Sequence, residues 1–341
     1  MHTNKNLKFI IFCFIVFLSF DSHTDEGFSI SAVIETPQVE INGDADDPAI
    51  WFNEEEPTLS VVFGTDKYNG VYSYNLSGDV IGFSKSGSMN NIDLRTLNDN
   101  TYIFTTDSSN NTVNVWAYKN SYLHNKSKEG SFALDKIPHH TSKVNFLAYG
   151  LCGGLSKKDE VIIFITEAKG PGVQLWKFDD LKLSLLNTFN NSNAYESEGC
   201  VFDDENQKFF ISEENKKGVI RSYSLTNKLL LDNKFRIDDR DGNITGDPEG
   251  LAILKTSKHE GFLIASSQGS STFNIYDRKH PHQFINSFNI AKNSSIDKVT
   301  DTDGIEIVNK YLNDTFSGGI IVVQDGRNTG ENTIPKENFK Y

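Results

Sequence analysis

The sequence predicts an all-β protein, a single six-bladed β-propeller, and three observations carry that prediction. One hairpin design recurs six times, and a polar, mostly acidic lead-in followed by a short apolar strand precedes each copy. No stretch of helical period interrupts the series. The copies recur at roughly 45–60 residues, the spacing of propeller blades. A chain of 341 residues can form one large domain, because all-β folds of this kind exceed the usual domain length.

The chain opens with a segment that does not belong to that fold. Lys5 and Lys8 precede an unbroken apolar run from Phe9 to Phe20, and polar residues Asp21–Gly27 follow. A basic flank and about a dozen apolar residues fit a signal peptide and are short for a membrane span. Residues 1–26 are expected to be a signal peptide and 27–341 the propeller. Cys13 has no small residues just before it, so a lipid tether is not expected. The mature protein should be a secreted or periplasmic monomer without a transmembrane segment. Cys152 and Cys200 remain, and a disulfide and two buried thiols are both open.

The hairpins follow in order. Val61–Lys67 leads into Val71–Tyr74, Tyr102–Asp107 into Val113–Trp116, and Val161–Glu167 into Val173–Trp176. Phe209–Glu214 leads into Val219–Tyr223, Phe262–Gln268 into Phe273–Tyr276, and Ile320–Asp325 begins the last. β-Branched and aromatic residues fill the strands, and Gly, Asn or Ser marks the turns. The lead-ins are Asp46–Trp51, Asn90–Arg95, Tyr149–Cys152, Glu198–Val201, Asp247–Ala252 and Asp301–Glu306. In a propeller the innermost strands line a central channel, so these lead-ins should converge at one end of it. The turns carrying Asp66, Glu167, Glu213, Glu214, Gln268 and Asp325 should approach the same end. The repeat thereby predicts a ring of carboxylates.

Such a ring needs a cation or strongly raised pKa values, because like charges a few ångströms apart repel. Oxygen-only ligands suit calcium, which accepts six to eight of them in flexible geometry. His139, His140, His280 and His282 lie in polar loops and read as solvated surface, so zinc and copper are disfavoured. The formal charge of −13 argues against nucleic acid as a partner. A polyanionic ligand would need bound cations or a local basic cluster. Lys67 and Lys169 follow hairpin-turn carboxylates, Tyr149 opens an inner strand and Arg95 ends one. Cations beside calcium are what a phosphate site requires. From repetition and acidity alone, calcium that only holds the fold and calcium that serves catalysis remain equally open.

The chain resembles the β-propeller, or alkaline, phytases. The matching stretches include Asp44–Trp51, Asn90–Arg95, Tyr149–Leu151, Glu198–Glu205, Ile211–Glu214, Asp247–Leu251, Ala265–Gly269, Ile275–Arg278, Asp301–Ile305 and Val323–Gly326. They run in family order from about Glu35 to the end. The resemblance implies a six-bladed propeller and calcium-dependent, stepwise removal of phosphates from phytate (inositol hexakisphosphate) and lower inositol phosphates. Calcium at the channel mouth would bind a phosphate and activate water for attack. Carried over by position, the catalytic calcium ligands are Glu35, Asp46, Glu198, Glu214, Asp247, Glu249, Gln268, Asp297 and Asp303. Asp47 and Asp325 match a structural calcium site joining the first and last blades, and Lys67, Tyr149 and Lys169 match residues that hold the phosphate being cleaved.

Several positions depart from the family. Thr106–Asn110 stands where many members place a phosphate-gripping Arg, and Arg95 is a candidate to compensate. Gly170 follows Lys169 where some members have Glu, Tyr68 follows Lys67 where some have a second Lys, and relatives continue beyond Tyr341. The rival readings are a calcium-dependent propeller hydrolase of another class, such as a lactonase, and a non-catalytic binding propeller. A phospho-His or phospho-Cys route is disfavoured, because neither an Arg-His-Gly nor a Cys-x5-Arg motif is present.

Overall fold

The computed structural model describes residues 27–40, 43–214, 218–328 and 336–341. The signal peptide expected at 1–26 lies outside the described residues. β1 (Phe28–Ser31) comes first, and the first blade follows as β2 (Ala45–Trp51), β3 (Val61–Asp66), β4 (Gly70–Tyr74) and β5 (Val80–Ser84). The second is β6 (Met89–Leu97), β7 (Asn100–Asp107), β8 (Thr112–Lys119) and β9 (His140–Lys143); the third is β10 (Ala148–Leu155), β11 (Val161–Glu167), β12 (Gly172–Phe178) and β13 (Leu183–Asn190). The fourth is β14 (Cys200–Asp203), β15 (Lys208–Glu213), β16 (Val219–Leu225) and β17 (Leu231–Asp239). The fifth is β18 (Pro248–Lys255), β19 (Gly261–Ser267), β20 (Thr272–Asp277) and β21 (Phe284–Ala291), and the sixth is β22 (Ile305–Val308), β23 (Ile320–Asn328) and β24 (Lys336–Lys340). Each blade is an antiparallel meander in sequence order, and β1 adds to β21 in parallel as a fifth strand of its sheet. The expected six-bladed propeller is the observed fold.

One feature departs from the expectation of no helix. α1 (Asn120–Lys128) sits between β8 and β9 and buries only Leu123 and Ser127. Two small contacts leave no apolar period in the sequence for a helix to show.

The cores lie between neighbouring blades, where two sheet faces press together. Phe164 and Phe209 stack at 4.2 Å between the third and fourth blades, and Phe164 and Phe202 at 5.4 Å. The Cys152–Cys200 disulfide, with Cα atoms 5.7 Å apart, ties β10 to β14 at the same seam. This settles the choice left open by the sequence.

The ring is closed by pairing the two ends of the chain. The amides of Val33 and Ile34 donate to the Tyr341 carbonyl, Thr36 donates to Phe339, Val39 to Glu337, and Tyr341 back to Ile34. The N-terminal strap therefore completes the three-stranded sixth blade, as edge pairing must if no row of backbone groups is to stay open.

The lead-ins share a local distortion that positions the functional residues. Between Ala45 and Pro48, Met89 and Ile92, Ala148 and Leu151, and Pro248 and Leu251, the inner strand advances three residues while its partner advances two. Each is a β-bulge, which leaves residues out of the ladder and re-aims their side chains. Asp46, Asn90, Tyr149 and Glu249 occupy the bulges. Hydroxyls from β3, β7 and β19 take up carbonyls of the next blade's lead-in: Thr65 donates to Asn90, Thr106 to Tyr149 and Ser266 to Thr302.

The recurring glycine of the lead-ins, after Tyr149 or after an acidic residue, has a spatial cause. A Cβ built on Gly150 would lie 1.9 Å from the Glu198 carbonyl oxygen, on Gly199 2.0 Å from that of Glu249, on Gly250 2.5 Å from that of Asp303, and on Gly304 2.5 Å from that of Asp46. Each glycine lets the next blade's acidic residue come into backbone contact. The Glu-Gly and Asp-Gly pairs thus pack the carboxylates around the mouth.

Candidate active site at the channel mouth

Glu198 and Glu249 from two lead-ins, with Glu214 from the turn after β15, form a cluster whose carboxylate oxygens lie within 4.8 Å of one another. Glu198 and Glu249 are buried and Glu214 half-buried. Asn90 donates to Glu198 Oε1 at 2.5 Å, and the Tyr149 hydroxyl also bonds to Glu198. Beside them the Lys67 ammonium stands 3.0 Å from Asp46 and 3.5 Å from Asp303. Gln268 donates to Asp303 Oδ1 at 2.8 Å, and Gln324 accepts the Asp303 amide at 2.8 Å. The structure therefore brings together Asp46, Lys67, Tyr149, Glu198, Glu214, Glu249, Gln268 and Asp303.

The electrostatics of the cluster are those of crowded carboxylates. Burial, with Glu198, Glu196 and Asp247 nearby, pushes Glu214 up to about 9. Burial and the Glu214 and Glu198 charges hold Glu249 well above the usual carboxylate range. Burial raises Asp46 in the same way although Lys67 opposes it, and brings Asp303 to about 6. The Tyr149 phenol is held far up by burial and by Glu198 and Glu214, so it stays a neutral donor. Burial works against the charge on Lys67, yet Asp46, Glu198 and Asp303 prevail and keep it protonated.

Asp46 Oδ2, Glu214 Oε1 and Glu249 Oε2 are buried without a hydrogen-bond partner among the described residues. Unpaired buried oxygens cost about 1–3 kcal/mol each, more when charged. An all-oxygen donor set with unsatisfied atoms at this spacing fits a hard divalent cation such as calcium. The residues fit the metal that the resemblance implies.

The remaining expected site residues make other contacts, although Asp247 stays near enough to Glu214 to raise it. Asp47 accepts from the Ile92 amide at 3.1 Å and from Asn91 at 3.2 Å, down the channel wall. Asp247 pairs with Arg240. Glu35, Asp297 and Asp325 surround Lys340. Lys169 is exposed at the β11–β12 turn with φ +59°. Arg95 is half-buried further down β6, where it donates to Asp93 at 2.8 Å and to Asp204 at 3.1 Å. Its guanidinium is committed there and does not join the mouth.

Not every turn carboxylate enters a ring. Asp66 accepts from the Tyr68 amide at 3.1 Å and from the Asn69 side chain at 2.9 Å within its own turn. Glu167 Oε2 accepts the Gly172 amide at 3.0 Å, and Glu213 pairs with Arg221. Sequence reasoning missed Asn90 as a support for Glu198, and it missed Asp44 and Glu337. Those two carboxyls share a hydrogen bond near Lys67, and burial and Asp44 push Glu337 up to about 9. The bulge spacing of Asn90, in register with Asp46 and Tyr149, was the available signal.

Comparison with known proteins agrees with this geometry. The chain is 28% identical over 329 residues to the 3-phytase of Bacillus subtilis (strain 168), covering 92% of this chain and 83% of that one. A chain from a solved structure, "Crystal structure of Nidogen/Laminin Complex", aligns with a TM-score of 0.45 and 11% identity over 78% of this chain and 86% of that chain, too distant to bear on fold or function. The Phytase family model matches residues 14–341, nearly the whole chain. The chain belongs to the phytase family.

Proposed function

We propose that the chain is an exported, calcium-dependent phytase that removes phosphates stepwise from phytate, or calcium–phytate, and from lower inositol phosphates. Family membership and the 3-phytase relative make it a phosphoric monoester hydrolase of the 3-phytase type. The observation that carries the calcium dependence is the cluster of Glu198, Glu214 and Glu249 beside Lys67 and Tyr149. Calcium held by Asp46, Glu198, Glu214, Glu249 and Asp303 would offset phosphoryl charge and lower the pKa of a water. It would also lie between an acidic protein and an acidic substrate.

The chain's own groups then act on the phosphate. Lys67, kept protonated by Asp46, supplies a fixed positive charge at the mouth. Tyr149, kept neutral, donates a hydrogen bond whose position is set by its bulge. Asn90 and Tyr149 both hold Glu198 in place. Preorganised donors of this kind are worth about 10²–10³ in turnover. Lys169, exposed on the β11–β12 turn, is assigned by resemblance to the phosphate being cleaved. Export rests on the basic flank and apolar run of the first twenty residues, and among the described residues no helix is long and apolar enough to cross a membrane.

The test is phosphate release from phytate by purified protein with calcium, with EGTA, and in Tyr149→Phe and Glu214→Gln. Release should depend on calcium, and each variant should lose roughly 10²-fold or more. Activity should lie at neutral to mildly alkaline pH, where the carboxylates can ionise to hold the ion. Lactone opening without phosphate release, or no release at any calcium level, would overturn the assignment.

A further inference from the structure

We propose that this chain fastens its ring with its own ammonium at a place where family resemblance puts metal ligands. Lys340 lies on β24 and is fully buried. Its Nζ is 2.7 Å from Asp325 Oδ2, in contact with Asp297 Oδ1, and 3.9 Å from Glu35 Oε2. It also donates to the carbonyl of Asp297 at 3.4 Å and to that of Lys298 at 3.5 Å. The three carboxylates come from the N-terminal strap, the connection between the fifth and sixth blades, and β23. The cation comes from the last strand, so one ammonium joins every segment that meets at the closure.

Three features make this a filled site. Asp325 has no oxygen to spare, since Oδ1 already accepts the Thr300 amide at 2.9 Å and its hydroxyl at 3.3 Å. The stem of Lys340 cannot swing aside, because β24 is bonded to β23 on one edge and to the strap on the other, with Glu35 bridged to Lys340 itself. A calcium ion needs six to eight oxygens around it, and the ammonium stands where they would converge. The neighbouring acid is treated likewise: Arg327 on β23 pairs with Asp301 at 2.6 Å. Asp297 and Asp325 thus serve as close partners of a lysine, with Glu35 Oε2, which has no hydrogen bond among the described residues, at the edge of ion-pair reach, and closure of the ring is independent of calcium. This inference stands apart from the phosphate chemistry.

Substituting Lys340→Met keeps the bulk and removes the charge, taking the ammonium from buried Asp325 and from the half-buried Asp297 and Glu35. In EGTA the full-length variant should melt roughly 5 °C below the parent, the scale of a broken buried ion pair in a chain of this size. With calcium it should regain most of that loss and bind one more ion per chain than the parent by equilibrium dialysis. Lys340→Arg should melt close to the parent. An unchanged melting temperature for Lys340→Met in EGTA would overturn the proposal. Asp297→Asn, a milder change, covers the case in which Lys340→Met does not fold. Its calcium count should equal the parent's, and one ion fewer would mean that the closure holds metal after all.

Discussion

The channel mouth and the ring closure both gather buried carboxylates from distant parts of the chain, and they solve the repulsion in opposite ways. At the mouth, Glu198, Glu214 and Glu249 lie within 4.8 Å, and two of them keep an unpaired oxygen. At the closure, Glu35, Asp297 and Asp325 surround Lys340. The mouth does contain Lys67, but that ammonium pairs directly with Asp46 and Asp303, and its field on Glu214 and Glu249 does not overcome the burial and repulsion that raise them. Acidity alone therefore does not mark a metal site. The distinguishing feature is whether the protein has already built a cation into the cluster.

The sharpest way to break this comparison is to exchange the defects. Glu249→Gln should cut phosphate release by roughly 10²-fold or more, yet raise the melting temperature in EGTA because it relieves repulsion. Lys340→Met should do the reverse, losing stability while folded molecules keep turnover within a few-fold. The same pattern from both variants would erase the distinction.

A smaller effect comes from pH. The folded state raises Glu214 from an ordinary value of 4.5 to about 9. Folded protein therefore holds a proton that unfolded chain has lost across that window. In EGTA, this group's contribution to stability should be full below about pH 4.5 and be lost as pH climbs through 9. With calcium the decline should vanish or reverse, because ionised carboxylates bind the ion. Melting curves at several pH values check this, and a rise with pH in EGTA would contradict it.

The disulfide offers a control between the two regions. It closes 48 residues of sequence, and loss of such a crosslink is worth about 4 kcal/mol on chain entropy. Reduction should lower the denaturant midpoint without altering calcium dependence. Smallest of all should be the kinetic effect of Arg95→Ala. With its guanidinium held by Asp93 and Asp204, KM for phytate should change less than about twofold while stability falls, since two half-buried acids lose their partner. A large rise in KM would restore Arg95 to substrate binding.

Much of this was legible in the sequence. Blade repetition survives because each strand must alternate or bury itself whatever its neighbours do, and the acidic lead-ins carry the channel mouth with them. The glycine after Glu198 or Glu249 records a contact with the next blade and could be read only once the ring was assembled. Asp66, Asp107 and Asp203 bond side chains three residues on, Asn69, Asn110 and Asn206, a local spacing that separates turn-capping acids from site acids and went unread. Lys340 could not be placed at all, because its partners are drawn from both ends of the chain and only closure of the ring brings them to it.

Hydrogen exchange on the full chain, with calcium and with EGTA, tests the division between the two clusters most directly. Calcium should slow exchange at 44–48, 198–200, 212–214 and 247–251, while amides of the closure at 33–39 and 337–341 should exchange alike in both conditions. Loss of protection at the closure on calcium removal, with the mouth unchanged, would contradict it.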